Sequence, residues 1–249
     1  HKPYKGNFGS PFFKLRKTMK AVYSLWTKPY LEKPDSNFGF LSLKDFKNSF
    51  ILSVNAMSIH NDNIHLYTDS KGLELFGDMI YSLPFKQVHN VLDKFKNIPS
   101  LCWAFCKLHV YGLQDEPFFH IDNDAMLWNS IPKNITENWD IICQNFEKYG
   151  DGDQYSGYRY AIEHYKNLEL THGKILSPKI LDLENYHQAP NAGIFGACNE
   201  KGLKMFKFIA QESKIVLEKL LNTPQYLSQL QEDSLDTFWP HYINMFQEQ

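Results

Sequence analysis

The strongest chemical pattern in the chain is His120-Ile121-Asp122-Asn123-Asp124-Ala125-Met126-Leu127-Trp128. Asp122 and Asp124 stand at i and i+2, directly after the strand-like run Pro117-Phe118-Phe119-His120-Ile121. In an extended segment such residues point to one side, with Cα atoms roughly 6 to 7 Å apart. Two carboxylates over a strand end suit a hard divalent cation, Mg²⁺ or Mn²⁺, which takes oxygen ligands and keeps positions for substrate phosphates. The competing reading is a plain turn, because Asp and Asn are ordinary turn formers. A phosphatase whose first Asp becomes phosphorylated would want Thr or Val where Met126 stands and would place the pair after the first strand, so that chemistry is disfavoured.

Other ligand patterns fail on spacing. Asp151-Gly152-Asp153 opens like a calcium loop, yet an EF-hand frame would need Asp or Asn at Tyr155, Gly at Ser156 and Glu at Ile162. Cys102, Cys106, Cys143 and Cys198 are too few and too irregular for a zinc ribbon or a disulfide framework. Cys102 and Cys106, one helical turn apart, are expected on a packed face, and a reducing compartment is read. Asn134-Ile135-Thr136 forms a glycosylation sequon that carries no weight in such a compartment.

The elements that must position Asp122 and Asp124 follow from periodicity. Lys20 to Trp26 is a short apolar run stopped by Thr27-Lys28-Pro29, as a buried first strand would be. Phe46, Phe50, Ile51, Val54 and Met57 share one face of a helix expected from Asp45 to Ile59. Asn63 to Asp69 reads as a second strand, followed by a helix capped by Ser70 and running through Phe76. Gln87 to Leu92 is a third strand, Ser100 to Tyr111 a helix ending at Gly112, and Pro117 to Ile121 a fourth strand. Trp139 to Gln144 is a further strand; helices follow from Ser156 to Leu168, from Glu200 to Leu221 and from Ser234 onward. This alternation predicts an α/β fold with a mostly parallel sheet and helices on both faces.

The chain has 249 residues, 43% hydrophobic, 15% aromatic and 22% charged, enough for a sizeable core. Its 26 Lys+Arg against 28 Asp+Glu give a net charge of −2, and with a pI near 6.6 nothing points to nucleic acid. Residues 1–18 hold five basic and no acidic side chains, an N-terminal arm or extension read first as an added or native tail and only after that as a basic-aromatic surface for anionic lipid. No Pro/Gly/Ser linker divides the rest, so residues 19–249 are expected to be a single domain. No run approaches a membrane span and no basic-then-apolar leader is read, which places the chain in the cytoplasm, with peripheral attachment to the inner membrane as the alternative.

Met19 to Trp26, Leu66-Tyr67-Thr68-Asp69, Cys102-Trp103-Ala104-Phe105-Cys106-Lys107-Leu108, Leu113 to Trp128 and Asn191-Ala192-Gly193-Ile194-Phe195-Gly196 occur in that order. The set resembles a bacterial glycosyltransferase-like family of the GT-A fold, over about Met19 to Gln249. The resemblance implies a Rossmann-like nucleotide half, with Asp122 and Asp124 as catalytic groups binding metal and a sugar-nucleotide diphosphate. Asp124 would be the direct metal ligand, and Asp122 would reach ribose, sugar or metal. It also implies nucleotide-sugar contacts from Ser24, Trp26, Thr68, Asp69, Lys107, Asn191 and Gly193, and a third metal ligand in His187 or His241. Beside these stand plainer readings: Trp26 as core, Thr68-Asp69-Ser70 as a helix cap, and Gly193 and Gly196 as turn glycines. For a general base the carboxylates are Asp151, Asp153, Glu232, Asp233 and Glu248, and the sequence does not choose among them.

The expected function is therefore metal-dependent transfer of a sugar from a nucleotide-diphosphate donor to a glycan or other hydroxyl acceptor. A non-catalytic nucleotide- or glycan-binding protein of the same fold is the alternative. A nucleotidyltransferase would open with a glycine-rich basic loop after the first strand, where Trp26-Thr27-Lys28-Pro29 stands instead.

Overall fold

The computed structural model describes residues 19–148 and 188–222. The arm at 1–18, the Asp151-Asp153 loop, the helix expected at Ser156–Leu168, the segment from Ser234, and His187, Glu232, Asp233, His241 and Glu248 lie outside the described residues. The strands are β1 (Lys20–Leu25), β2 (Ile64–Thr68), β3 (Gln87–Asn90), β4 (Phe118–Ile121), β5 (Ile141–Cys143), β6 (Phe146–Lys148), β7 (Gln188–Pro190) and β8 (Ile194–Ala197). Six of them form one sheet in the order β3-β2-β1-β4-β8-β5, and β6 pairs with β7 apart from it. β3, β2, β1 and β4 are mutually parallel, while β8 runs antiparallel to both β4 and β5.

Period-two alternation puts the strands between two helical layers. Tyr23 and Leu25 of β1, Leu66 of β2 and Phe119 and Ile121 of β4 pack with Phe46, Phe50, Val54 and Met57 of α2 (Leu43–Ser58) and with Phe76 and Ile80 of α3 (Ser70–Ser82). α1 is the short helix Lys28–Glu32. On the opposite face Val22, Tyr67, Phe118 and Phe195 meet Phe105, Leu108 and Tyr111 of α4 (Trp103–Gly112) and Leu203, Phe206 and Ile209 of α6 (Glu200–Leu221). α5 is Lys133–Asn138. Strands buried on both faces read as near-continuous apolar runs, which is why β1 and β4 were visible in the sequence.

Three local expectations shift. Asp69, not Ser70, caps α3, its side chain accepting from the Gly72 amide. The third strand ends at Asn90, and Leu92 begins a 3-10 turn over Leu92–Phe95. Another 3-10 turn, Ser100–Cys102, precedes α4. Cys102 and Cys106 are buried free thiols, as expected of a packed face. Among the described residues no helix is long and apolar enough to cross a membrane.

Candidate functional site

Chain order creates the site. From β1 the chain winds outward to β2 and β3, then returns across β1 to β4 on its other side. At such a reversal the connections leave in opposite directions and open a crevice beyond the carboxyl ends of the two strands. Ser24 lies near that end of β1, and Asp122 directly follows β4.

The Asp122–Trp128 segment is fastened at several points. The Asp122 amide donates to the Gly193 carbonyl at 2.9 Å, carrying the β4–β8 ladder one step further. The Ala125 amide donates to the Asp122 carbonyl at 3.0 Å, and the Ala125 carbonyl accepts from Ser53 Oγ of α2 at 2.5 Å. His60 Nε2 donates to the Trp128 carbonyl at 2.8 Å. Asn123 reaches back, its Nδ2 donating to the Ser24 carbonyl at 3.3 Å. Asp124 is left on a tight, anchored turn, exposed to solvent.

Lys107 projects from α4 to this point. Its Nζ lies 2.5 Å from Asp122 Oδ1, the side chains being 16% and 29% exposed, and 5.5 Å from the centre of the Trp103 ring. Burial raises the Asp122 carboxyl above its ordinary value; Lys107 opposes that shift and the negative Asp124 adds to it. Among the described residues no hydrogen bond or ion pair engages the Asp124 carboxylate.

Beneath Asp122 lies His120, which the sequence reading left as a strand residue. Its Nε2 sits 2.9 Å from Ser24 Oγ and its Nδ1 3.6 Å from Asp122 Oδ1. Burial and the Lys107 cation hold the imidazole well below its usual range, hence neutral. Four buried side-chain polar atoms lack a partner among the described residues, and three of them belong to this neighbourhood: Tyr111 Oη, His120 Nδ1 and Asn123 Oδ1. The available signal was a histidine in an otherwise apolar core strand.

The remaining candidates divide. Asn191 and Gly193 do come to the site, through the Asp122–Gly193 ladder bond and a 2.7 Å bond from the Gly193 amide to Asn191 Oδ1. A Cβ on Gly193 would meet Gln144 Oε1 at 2.5 Å and Asn191 Oδ1 at 2.9 Å. Gly196 is pressed against the Phe118 carbonyl and the Cα of Phe119. Both glycines thus serve the turn and the strand packing. Trp26 is 8% exposed and packs with Tyr67, Leu92 and Phe95. Thr68 is fully buried, its hydroxyl donating to the Leu25 carbonyl. The Asp69 carboxylate accepts from the Thr27 amide, the Thr27 hydroxyl and the Gly72 amide. The Thr68 hydroxyl thus ties the end of β2 to the end of β1, and the Asp69 carboxylate ties the loop after β1 to the start of α3.

Fold and site together define an open α/β protein with an acidic pair and a lysine at a topological switch point. Over residues 19–246 the chain belongs to the family described as a family of unknown function, DUF6734. No curated protein matches it. Among solved structures it is similar to mouse xyloside xylosyltransferase 1 in its apo form, at 12% identity and a TM-score of 0.44, covering 93% of this chain and 82% of that one.

Proposed function

We propose that the chain is a metal-assisted glycosyltransferase of GT-A type, moving a sugar from a nucleotide-diphosphate donor to a hydroxyl acceptor. The observation that carries this reading is the Lys107–Asp122 ion pair just past the carboxyl end of β4, beside β1, with Asp124 two residues further on, exposed and unengaged among the described residues. A diphosphate needs positive charge, and a hard cation needs oxygen ligands.

The residues present fit such a cation. Both candidate ligands are carboxylates, and the like charge of Asp124 already works against ionised Asp122, a repulsion that a bound cation would relieve. Among the described residues no group of three His, Cys, Asp or Glu side chains forms a full protein cage. That suits Mg²⁺ or Mn²⁺ held by one or two carboxylates, with substrate phosphate and water completing the shell. Asp124 would be the direct ligand, Asp122 the second, and His187 or His241 further candidates. When bound, the cation supplies charge stabilisation to the departing diphosphate.

The chain's own groups do the rest. Lys107 would balance phosphate charge as the bond between the anomeric carbon and the diphosphate oxygen breaks and the acceptor hydroxyl oxygen bonds to that carbon, its proton passing to a carboxylate base or to the departing diphosphate. Lysine does so as a point charge and not by a bidentate fork. Ser24 and Asn191 act behind the surface, Ser24 through His120 and Asn191 through the Gly193 turn.

A panel of nucleotide sugars incubated with the protein plus Mn²⁺, or plus a chelator, tests the proposal by release of nucleoside diphosphate. Mn²⁺-dependent release from at least one donor is expected. No release from any donor would contradict catalysis and favour a binding protein.

A further inference from the structure

A core strand has no ordinary use for His120. Its neighbours Phe118, Phe119 and Ile121 are buried and apolar, and the imidazole residue is itself 1% exposed. Polar atoms this deep are normally partnered, so each ring nitrogen needs an account. Nε2 lies 2.9 Å from Ser24 Oγ. Nδ1 has no hydrogen-bond partner among the described residues and stands 3.6 Å from Asp122 Oδ1, beyond hydrogen-bond length. That same oxygen is the one Lys107 holds.

A neutral imidazole carries one N–H. With the proton on Nε2, the Nδ1 lone pair would face a carboxylate oxygen. With the proton on Nδ1, the Ser24 hydroxyl donates to Nε2 and the N–H points at Asp122, so the second tautomer is favoured. Tyr111 backs the ring edge to face, with centroids 5.1 Å apart, and keeps the imidazole from turning aside.

We infer that His120 is a positioning residue that keeps a second seat for Asp122: when Lys107 is drawn toward phosphate, the Asp122 carboxylate shifts onto the Nδ1–H of His120. The movement needed is small, about 0.5 Å to reach hydrogen-bond length. Without this seat, departure of Lys107 would leave Oδ1 of a partly buried carboxylate, beside Asp124, with no side-chain donor among the described residues. The seat also explains why a buried donor goes unmet in the resting arrangement: it is used in the other one. The inference rests on the proposed function only for what draws Lys107 away; the exchange belongs to Lys107, Asp122 and His120 themselves.

Imidazole ¹⁵N–¹H correlation spectra of histidine-labelled protein, without ligand, test the exchange directly. In the parent, His120 should be neutral with its proton on Nδ1. In Lys107→Met the Nδ1–H resonance should move downfield as Asp122 takes it, and in Lys107→Met/Asp122→Ala that shift should be lost. A proton on Nε2 in the parent, or an unmoved resonance in Lys107→Met, overturns the inference. Adding uridine diphosphate with Mg²⁺ to the parent gives a second reading that needs no variant. Binding seen by calorimetry with a downfield shift supports the exchange, and binding without one refutes it. If this nucleotide does not bind, the donor reading is weakened, while the Lys107→Met spectrum still decides the exchange.

Discussion

Replacing Asp69 by alanine should destabilise the fold rather than weaken a nucleotide contact. The carboxylate accepts from the Gly72 amide at 2.7 Å, the Thr27 amide at 3.0 Å and the Thr27 hydroxyl at 2.9 Å. Loss of the cap on α3 costs about 1 kcal/mol. The Thr27 amide, in a fully buried residue, is then left without its acceptor, which costs about 1 to 3 kcal/mol more. A total of about 2 to 4 kcal/mol lowers the melting temperature of a protein this size by about 5 to 15 °C. Thermal unfolding followed by circular dichroism reads this, and Asp69→Asn, which keeps one oxygen acceptor, should recover part of the loss. A melting temperature within about 2 °C of the parent, together with weaker nucleotide binding, would refute the capping role and restore Asp69 to the donor site.

Gly196→Ala places a Cβ against the Phe118 carbonyl and the Cα of Phe119, so β8 must lift from β4; a loss of about 3 kcal/mol or poor soluble yield is expected, measured by urea unfolding. His65 is held down to about 4, first by burial and then by the charges of Lys20, His89 and Lys86. The unfolded chain takes up that proton near the ordinary 6.5 and the folded chain only near 4, so this contribution to stability is full above 6.5 and is lost as pH falls toward 4. Melting temperatures at a series of pH values should decline through that window, and His65→Leu should flatten the decline; an unchanged slope would remove His65 as its source.

The apolar runs Lys20 to Trp26 and Pro117 to Ile121, and the stripe Phe46, Phe50, Val54 and Met57, made β1, β4 and α2 readable, because burial on both sheet faces or on one helix face leaves a periodic mark. Ile194–Ala197 left no such mark. It is a short antiparallel strand whose partner, β4, lies far away in sequence, and only that pairing shows why Gly193 belongs beside Asp122. The acidic pair was legible as spacing, and Lys107 through the resemblance. The ion pair between Lys107 and Asp122 was not, because a helix and a strand end meet only in the tertiary fold. Thr68 and Asp69 carried two readings for a physical reason: polar residues at a strand end serve ligands, strand ends and helix caps equally well, and only the tertiary fold shows the bonds they make to Leu25 and Gly72.

Asp124→Asn tests the central claim most directly. Asp124 is exposed and unengaged among the described residues, so the exchange should leave the fold intact while removing a ligand charge used chiefly in the transition state. Calorimetric titration of nucleoside diphosphate with Mn²⁺ should be run beside donor-hydrolysis rates for parent and variant. The account predicts a fall in hydrolysis of about 10² to 10³ with a much smaller change in nucleotide affinity. Hydrolysis by Asp124→Asn at the parent's rate would contradict it.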